Sequence, residues 1–95
     1  MKIVGEFKLI AFGEMHPPAK NPLNRWAAVV EEAAWKSPIE MKQSFGSADV
    51  VGRQTVFNIG GNKYRLIAVI EYGVQIVLVQ EVLRHADYDK GAWRL

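Results

Sequence analysis

The strongest constraint on the fold is a pair of glycines that separates two runs of strand-forming residues. Residues 54–59 (QTVFNI) are rich in β-branched and aromatic side chains, which favour strands. Gly60-Gly61 follows, and glycine tolerates the positive φ that two-residue hairpin turns require. Residues 62–72 then predict a return strand, and residues 74–83 predict a third strand after a tight turn at Gly73. The second half of the chain therefore predicts an antiparallel meander.

The first half of the chain has helical spacing instead. Asn21 and Pro22 fit the cap and first turn of one helix, and Ser37-Pro38-Ile39-Glu40 is a capping box that starts a short helix ending near Phe45. Residues 85–93 predict one last short helix. An earlier apolar set also recurs at helical intervals, although its first member equally fits a short opening strand: Ile3, Phe7, Ile10 and Ala11. Helices followed by strands predict an α+β domain.

Composition bounds the class of protein. The 95 residues suit a single domain over residues 1–95 with a small core, and the absence of cysteine excludes disulfides and thiolate metal sites. No apolar run is long enough to span a bilayer and the first residues do not resemble a signal peptide, so we expect a cytoplasmic protein. The net charge of +2 alone does not identify a nucleic-acid partner. All of the excess positive charge lies in residues 53–95.

Alternation along the middle strand predicts two different faces. Tyr64, Leu66, Ala68, Ile70 and Tyr72 share the face that suits packing under the helices. The other face begins with Lys63 and Arg65, so we expect its first part to meet solvent or a ligand. A two-residue turn places Asn58 opposite Lys63 and Val56 opposite Arg65, which gathers Asn58 and the two cations on one face.

Each of these signals also has a purely structural interpretation. Lys63 and Arg65 can form a solvated strand edge, where cations discourage aggregation. A histidine just after a strand often makes only local hydrogen bonds, and the run 85–89 (HADYD) lacks the spacing of known ion loops, which argues against a metal site. Trp26 and Trp35 are predicted on opposite sides of a helix, with at least one in the core or an interface.

Three blocks together resemble the HigB family of toxin–antitoxin toxins. They are residues 34–38 (AWKSP) followed by Phe45, residues 56–66 (VFNIGGNKYRL) and residues 85–89 (HADYD). The resemblance implies a RelE-like fold, with amino-terminal helices packed on one face of a twisted antiparallel sheet. It also implies cleavage of mRNA, usually on the ribosome, and a HigA-type antitoxin with a helix-turn-helix domain.

The resemblance also implies a site. Tyr64-Arg65-Leu66 is similar to the RelE motif whose arginine contacts the scissile phosphate, and His85 and Tyr88 match the terminal residues of that site by position. Strongly basic RelE toxins surround the phosphate with many cations. This chain has few, which gives His85 more weight.

The chemistry expected of these residues needs no metal and no cofactor, because RNA carries its own nucleophile in the 2′-hydroxyl. Arg65 is the candidate to hold the phosphate through its planar fork, with Lys63 adding positive field. His85 is the candidate general acid or base.

The remaining candidates have alternative roles. Tyr88 can stack on a base or donate to the phosphate, and Asp89 can orient His85 or Tyr88 or act on a proton itself. Asn58 and Asn62 can read a base edge or hold the backbone.

Two alternative functions remain open. A non-enzymatic poison of the ParE branch, which targets DNA gyrase, shares the fold but tends to lack the histidine and tyrosine. A plain interaction module would use the same surface only to bind a partner.

Overall fold

The computed structural model describes residues 1–94, so Leu95, the last residue of the predicted domain, lies outside the described residues. The chain forms five strands, four α-helices and a 3-10 turn over Pro17–Ala19. In chain order, the other elements are β1 (Lys2–Val4), α1 (Glu6–Met15), α2 (Lys20–Glu32), α3 (Pro38–Ser44), β2 (Asp49–Val51), β3 (Gln54–Ile59), β4 (Tyr64–Glu71), β5 (Ile76–Arg84) and α4 (His85–Asp89).

The strands form one five-stranded sheet in the order β1-β5-β4-β3-β2. The predicted meander is present in β3, β4 and β5, which pair antiparallel. The sheet as a whole is mixed, because β1 pairs with β5 in parallel, with Ile3 opposite Val77. A parallel pair needs a long connection, and nearly the whole chain lies between these two strands. Strands of three residues, such as β1 and β2, show too little alternation to be predicted.

The predicted hairpin register is wrong. Asn58 pairs with Arg65 and Ile59 pairs with Tyr64, so the turn contains the four residues 60–63 instead of two. Gly60 and Gly61 do adopt positive φ, at 62° and 70°. The amide of Lys63 reaches back towards the Gly60 carbonyl at 3.5 Å, which places Asn62 and Lys63 inside the turn. The consequence for the site is that Asn58 and Arg65 lie directly opposite each other on one face.

The helical layer covers one face of the sheet, as predicted. The core there includes the predicted inner residues of β4, together with Leu23, Trp26 and Val30 of α2. The capping box is confirmed, because the Ser37 hydroxyl accepts from the Glu40 amide at 3.3 Å. Trp35 lies beyond the end of α2, so the expectation that it faces away from Trp26 on one helix is wrong. Both indoles are buried.

Two details of the helices differ from the sequence prediction. The second helix begins at Lys20, directly after the 3-10 turn, so Asn21 lies inside it and does not cap it. Helix α1 is present, but Leu9 and Gly13 are its buried residues, whereas Phe7 and Ile10 are 69% and 64% exposed. The apolar set that predicted this helix therefore includes residues that face outward. Ile3 belongs to the opening strand.

The chain after β5 covers the other face of the sheet. Trp93 packs there with Val56 and Ile67, and Leu83 and Tyr88 pack against this second cluster. Strand β4 is therefore buried on both faces over Tyr64–Ile70, which suits its nearly continuous apolar run. Of the two cations expected to meet solvent or a ligand on this face, Lys63 is exposed, whereas Arg65 does not meet solvent. Arg65 is only 8% exposed.

Across residues 1–94, no helix combines the length and the apolar character that crossing a membrane requires.

Candidate active site

Arg65 enters the interior because it belongs to the central strand. Its neighbours across the sheet are Asn58 on β3 and Leu83 on β5. The guanidinium donates from Nη1 to the Tyr64 carbonyl at 3.1 Å and from Nη2 to the Asn62 Oδ1 at 3.4 Å. Its Cζ lies 5.4 Å from the centre of the Tyr88 ring. Arg65 is thus held by a strand, a turn and a helix at once, and the solvated-edge interpretation does not apply to it.

The Arg65 charge has no carboxylate partner within residues 1–94. The ion pairs of this part of the chain involve Arg84, His85 and Lys90 only. Burying a charge without a counter-ion is unfavourable, and cation–π contact with Tyr88 and neutral acceptors offset only part of that cost. A buried guanidinium supported only by neutral groups favours the binding of an anion that can reach its remaining N–H donors.

His85 and Asp89 form an ion-pair geometry on α4. Nδ1 of His85 lies 3.0 Å from Oδ2 of Asp89, and both side chains remain about half exposed. The four-residue spacing places the two side chains on one face of the helix, and Tyr88 at the three-residue spacing lies on that face too. Asp89 is therefore placed to orient the imidazole, one of the roles open to it from sequence. Nε2 of His85 makes no hydrogen bond to residues 1–94.

The glycine turn joins α4 to the Arg65 end of the sheet. The His85 amide donates to the Lys63 carbonyl at 3.1 Å, while the neighbouring Asn62 side chain accepts from Arg65. Arg65 therefore contacts Asn62 and Tyr88 directly, whereas the His85–Asp89 pair is connected to them only through the backbone of the turn and of α4. The other two predicted residues lie nearby: Lys63 is exposed on the turn, and Asn58 is half-buried opposite Arg65.

A second ion-pair group anchors the start of α4. Arg84 Nε donates to Asp87 Oδ2 at 3.0 Å, and Lys90 Nζ lies 3.7 Å from Asp87 Oδ1. The hydrogen bond from Arg84 is the main cause that lowers the pKa of Asp87, and the same bond raises the pKa of Arg84. The helix has no side-chain N-cap, so this pair contributes to fixing its first turn.

Sequence reasoning missed Trp93. Its ring stacks on Tyr88 with centres 4.9 Å apart and planes 11° from parallel. Trp93 was predicted only as the end of a helix, whereas α4 stops at Asp89 and Gly91 adopts φ 75° to turn the chain back. The available signal was a glycine between two aromatic residues, which permits such a reversal.

Within residues 1–94, no three histidine or acidic side chains lie together in a geometry that would hold a metal ion. The one imidazole here, that of His85, pairs with one carboxylate, that of Asp89, and such a pair is suited to acid–base chemistry.

Arg84→Gln should raise the pKa of Asp87 towards its ordinary value, because the hydrogen bond that lowers it is removed. NMR titration of the side-chain carboxyl carbon measures this. The lowered pKa means that the pair stabilises the fold fully above about pH 4, and that this contribution is lost as pH falls through the folded pKa. Arg53→Gln, on an exposed turn, is the matched control. An unchanged Asp87 pKa in Arg84→Gln would contradict the assignment.

Known proteins with similar sequences indicate the family to which the chain belongs. A family model described as the HigB toxin, a RelE-like toxic component of a toxin–antitoxin system, matches residues 19–91. The mRNA interferase toxin HigB of Escherichia coli K12 is 28% identical over 92 residues, which cover 94% of this chain and 88% of that protein. The mRNA interferase HigB of Shigella flexneri matches equally. The mRNA interferase HigB of Escherichia coli O6:H1 is 27% identical over 93 residues, covering 95% of this chain and 90% of that protein. The chain belongs to the HigB family of RelE-like toxins.

Proposed function

We propose that this chain, as one toxin domain over residues 1–95, is an endoribonuclease that cleaves mRNA and so inhibits translation. The observation that carries the proposal is the buried Arg65 guanidinium, which has no carboxylate partner within residues 1–94 and lies over the ring of Tyr88, on the same short helix as the His85–Asp89 pair. A phosphodiester supplies the missing anion. The similar proteins named mRNA interferase support the choice of mRNA among phosphodiesters.

The reaction needs three events at one phosphate. The 2′-hydroxyl loses its proton and its oxygen bonds to phosphorus, the bond from phosphorus to the 5′-oxygen breaks, and that oxygen takes up a proton. The products are a 2′,3′-cyclic phosphate and a 5′-hydroxyl end. Arg65 stabilises the charge that develops on the non-bridging oxygens, and His85 transfers a proton. No step requires a metal or another cofactor.

The remaining residues position the RNA. Asp89 holds the His85 ring through Nδ1, which directs Nε2 towards the substrate. The ring of Tyr88 contacts both the Trp93 ring and the Arg65 guanidinium, so of its two candidate roles the hydroxyl bond to the phosphate fits better than stacking on a base. Asn62 keeps the guanidinium in place, while Lys63 and Asn58 bind the strand on either side of it.

Two macromolecular partners follow from the proposed function. The substrate is mRNA engaged on the ribosome. A codon bound there is already held single-stranded, which this protein, with its few cationic side chains, does not have to achieve by itself. The second partner is a HigA-type helix-turn-helix antitoxin, in line with a toxin–antitoxin family. The exposed apolar residues Phe7 and Ile10 of α1 offer it a surface on the layer opposite Arg65.

The protein mixed with ribosomes and a translated message should produce new 5′ ends that carry a hydroxyl, which primer extension and kinase labelling detect. A message with a single 2′-deoxynucleotide at the mapped position should not be cut there, because the nucleophile is missing. A cut that persists at the deoxynucleotide would exclude 2′-hydroxyl attack. The absence of any cut would favour a gyrase poison or an interaction module.

His85→Gln should lower the cleavage rate by about 10²–10⁴-fold, the range expected for losing a general acid or base. The single-turnover rate with ribosomes and message measures it. The chain has one other histidine, His16, whose ring packs against Phe12 and Tyr64 on the helical layer. His16→Gln is the matched control and should keep the wild-type rate. Equal rates in the two variants would remove His85 from the mechanism.

Arg65→Met should abolish cleavage without destabilising the fold. The substitution removes a buried charge that has no carboxylate partner among residues 1–94 and retains much of the apolar volume, so the free energy of unfolding should stay constant or rise by about 1–4 kcal/mol. Urea denaturation measures this. Arg53→Met, which removes a cation from an exposed turn, should change neither property. Strong destabilisation by Arg65→Met would show that the guanidinium serves the fold and not an anion.

A further inference from the structure

We infer that Trp93 is a positioning residue for the cleavage reaction, acting through its stack on Tyr88 and not through contact with RNA. The inference rests on the proposed function and adds to it a residue from outside the predicted site. Trp93 is only 6% exposed, so its ring is not an available platform for a base.

The first observation is that α4 cannot hold its own position. It has five residues and no side-chain N-cap, and a helix so short is not stable without tertiary contacts. Every candidate residue on it, His85, Tyr88 and Asp89, therefore depends on contacts outside the helix for its position. Its exposed ion pairs are weak anchors in water.

The second observation is that Trp93 supplies a buried contact to Tyr88 of α4. Its indole Nε1 donates at 2.9 Å to the Tyr88 carbonyl near the end of α4, which also accepts from the Gly91 amide at 3.0 Å. Its ring stacks on the Tyr88 ring and packs on Val56 and Ile67 of the sheet. One side chain thus fixes both the backbone and the ring of Tyr88 relative to β3 and β4.

The third observation is that Trp93 is itself held from within the sheet. Gln54 is 2% exposed, and its Nε2 donates to the Trp93 carbonyl at 3.0 Å and to Gln80 Oε1 at 2.7 Å. Gln80 is the extra residue of a β-bulge in β5, where the partners of Ile67 and Ala68 are Glu81 and Val79. The buried Gln54 amide therefore connects the returning chain to β3 and β5.

The contacts of Trp93 also bear on the surroundings of Arg65. The Tyr88 ring that Trp93 fixes is the ring over which the Arg65 guanidinium lies. The Tyr88 hydroxyl makes no hydrogen bond within residues 1–94, so the stack and not a hydrogen bond sets the direction of that hydroxyl. A displacement of about 1 Å in a catalytic group can reduce a rate about 10²-fold. Loss of the Trp93 ring should therefore slow chemistry while leaving RNA binding nearly unchanged.

The test compares Trp93→Ala, Trp93→Phe and Trp35→Ala in the ribosome cleavage assay. Trp35 is the matched control, because it is 5% exposed but lies in the core of the helical layer, where its Nε1 donates to Ser44. Rates are measured under single turnover, at a temperature where each variant is folded by circular dichroism. The half-saturating protein concentration is measured in parallel.

Trp93→Ala should lower the saturated cleavage rate by about 10–100-fold with little change in half-saturation, and Trp93→Phe should restore most of the loss. Trp35→Ala should lose thermal stability but keep the rate. If Trp93→Ala does not fold, Gln54→Met, which removes the hydrogen bond to the Trp93 carbonyl, should show the same loss of rate.

The outcomes separate this inference from the proposed function. A wild-type protein that cleaves, with Trp93→Ala or Gln54→Met as fast or faster, overturns the positioning role and leaves the nuclease in place. An equal loss of rate in Trp35→Ala also overturns it, because the effect is then one of stability. A wild-type protein that leaves mRNA intact overturns both.

Discussion

The burial of one positive charge, the Arg65 guanidinium, is the constraint on which the surrounding corner of the molecule depends. Arg65 lies at the start of the central strand, where both faces of the sheet are covered and only 8% of the residue is exposed. No carboxylate of residues 1–94 pairs with it, and the charge is supported by the Tyr64 carbonyl, the Asn62 amide oxygen and the Tyr88 ring. Each support comes from a different local element, so strand, turn and helix must be correctly placed together for the charge to be tolerated.

That requirement explains why a further segment packs on the sheet after β5. A 95-residue chain has a small core, and leaving one face of β4 in water would expose Val56 and Ile67 and hydrate the guanidinium. The segment after β5 covers this face with one short helix and one indole. The covering that stabilises the sheet is therefore the same segment that carries His85, Tyr88 and Asp89, so fold and site are not separable here.

Local pattern was sufficient to predict the meander and the helical layer, whereas the choice of Arg65, His85 and Tyr88 as site residues came from the family resemblance. It predicted the glycine turn but not its length, because Asn62 and Lys63 are as compatible with a strand as with a turn, and only the packing of Tyr64 into the core decides between them. The side of α1 that faces the sheet was not predicted, for a similar reason. Its spacing reveals a helix, whereas the sheet determines that Leu9 is buried and Phe7 is not.

The contact that local pattern could not supply is the one between Trp93 and residues far away in the chain. Gln54 and Trp93 are separated by 39 positions, and nothing in either neighbourhood indicates the other. Such contacts form only when the whole sheet is in register, which makes the position of Tyr88 a property of the complete fold. A site built in this way does not exist in the unfolded or partly folded chain. The contact between the Arg65 guanidinium and the Tyr88 ring forms only after the segment around Trp93 has returned to the sheet.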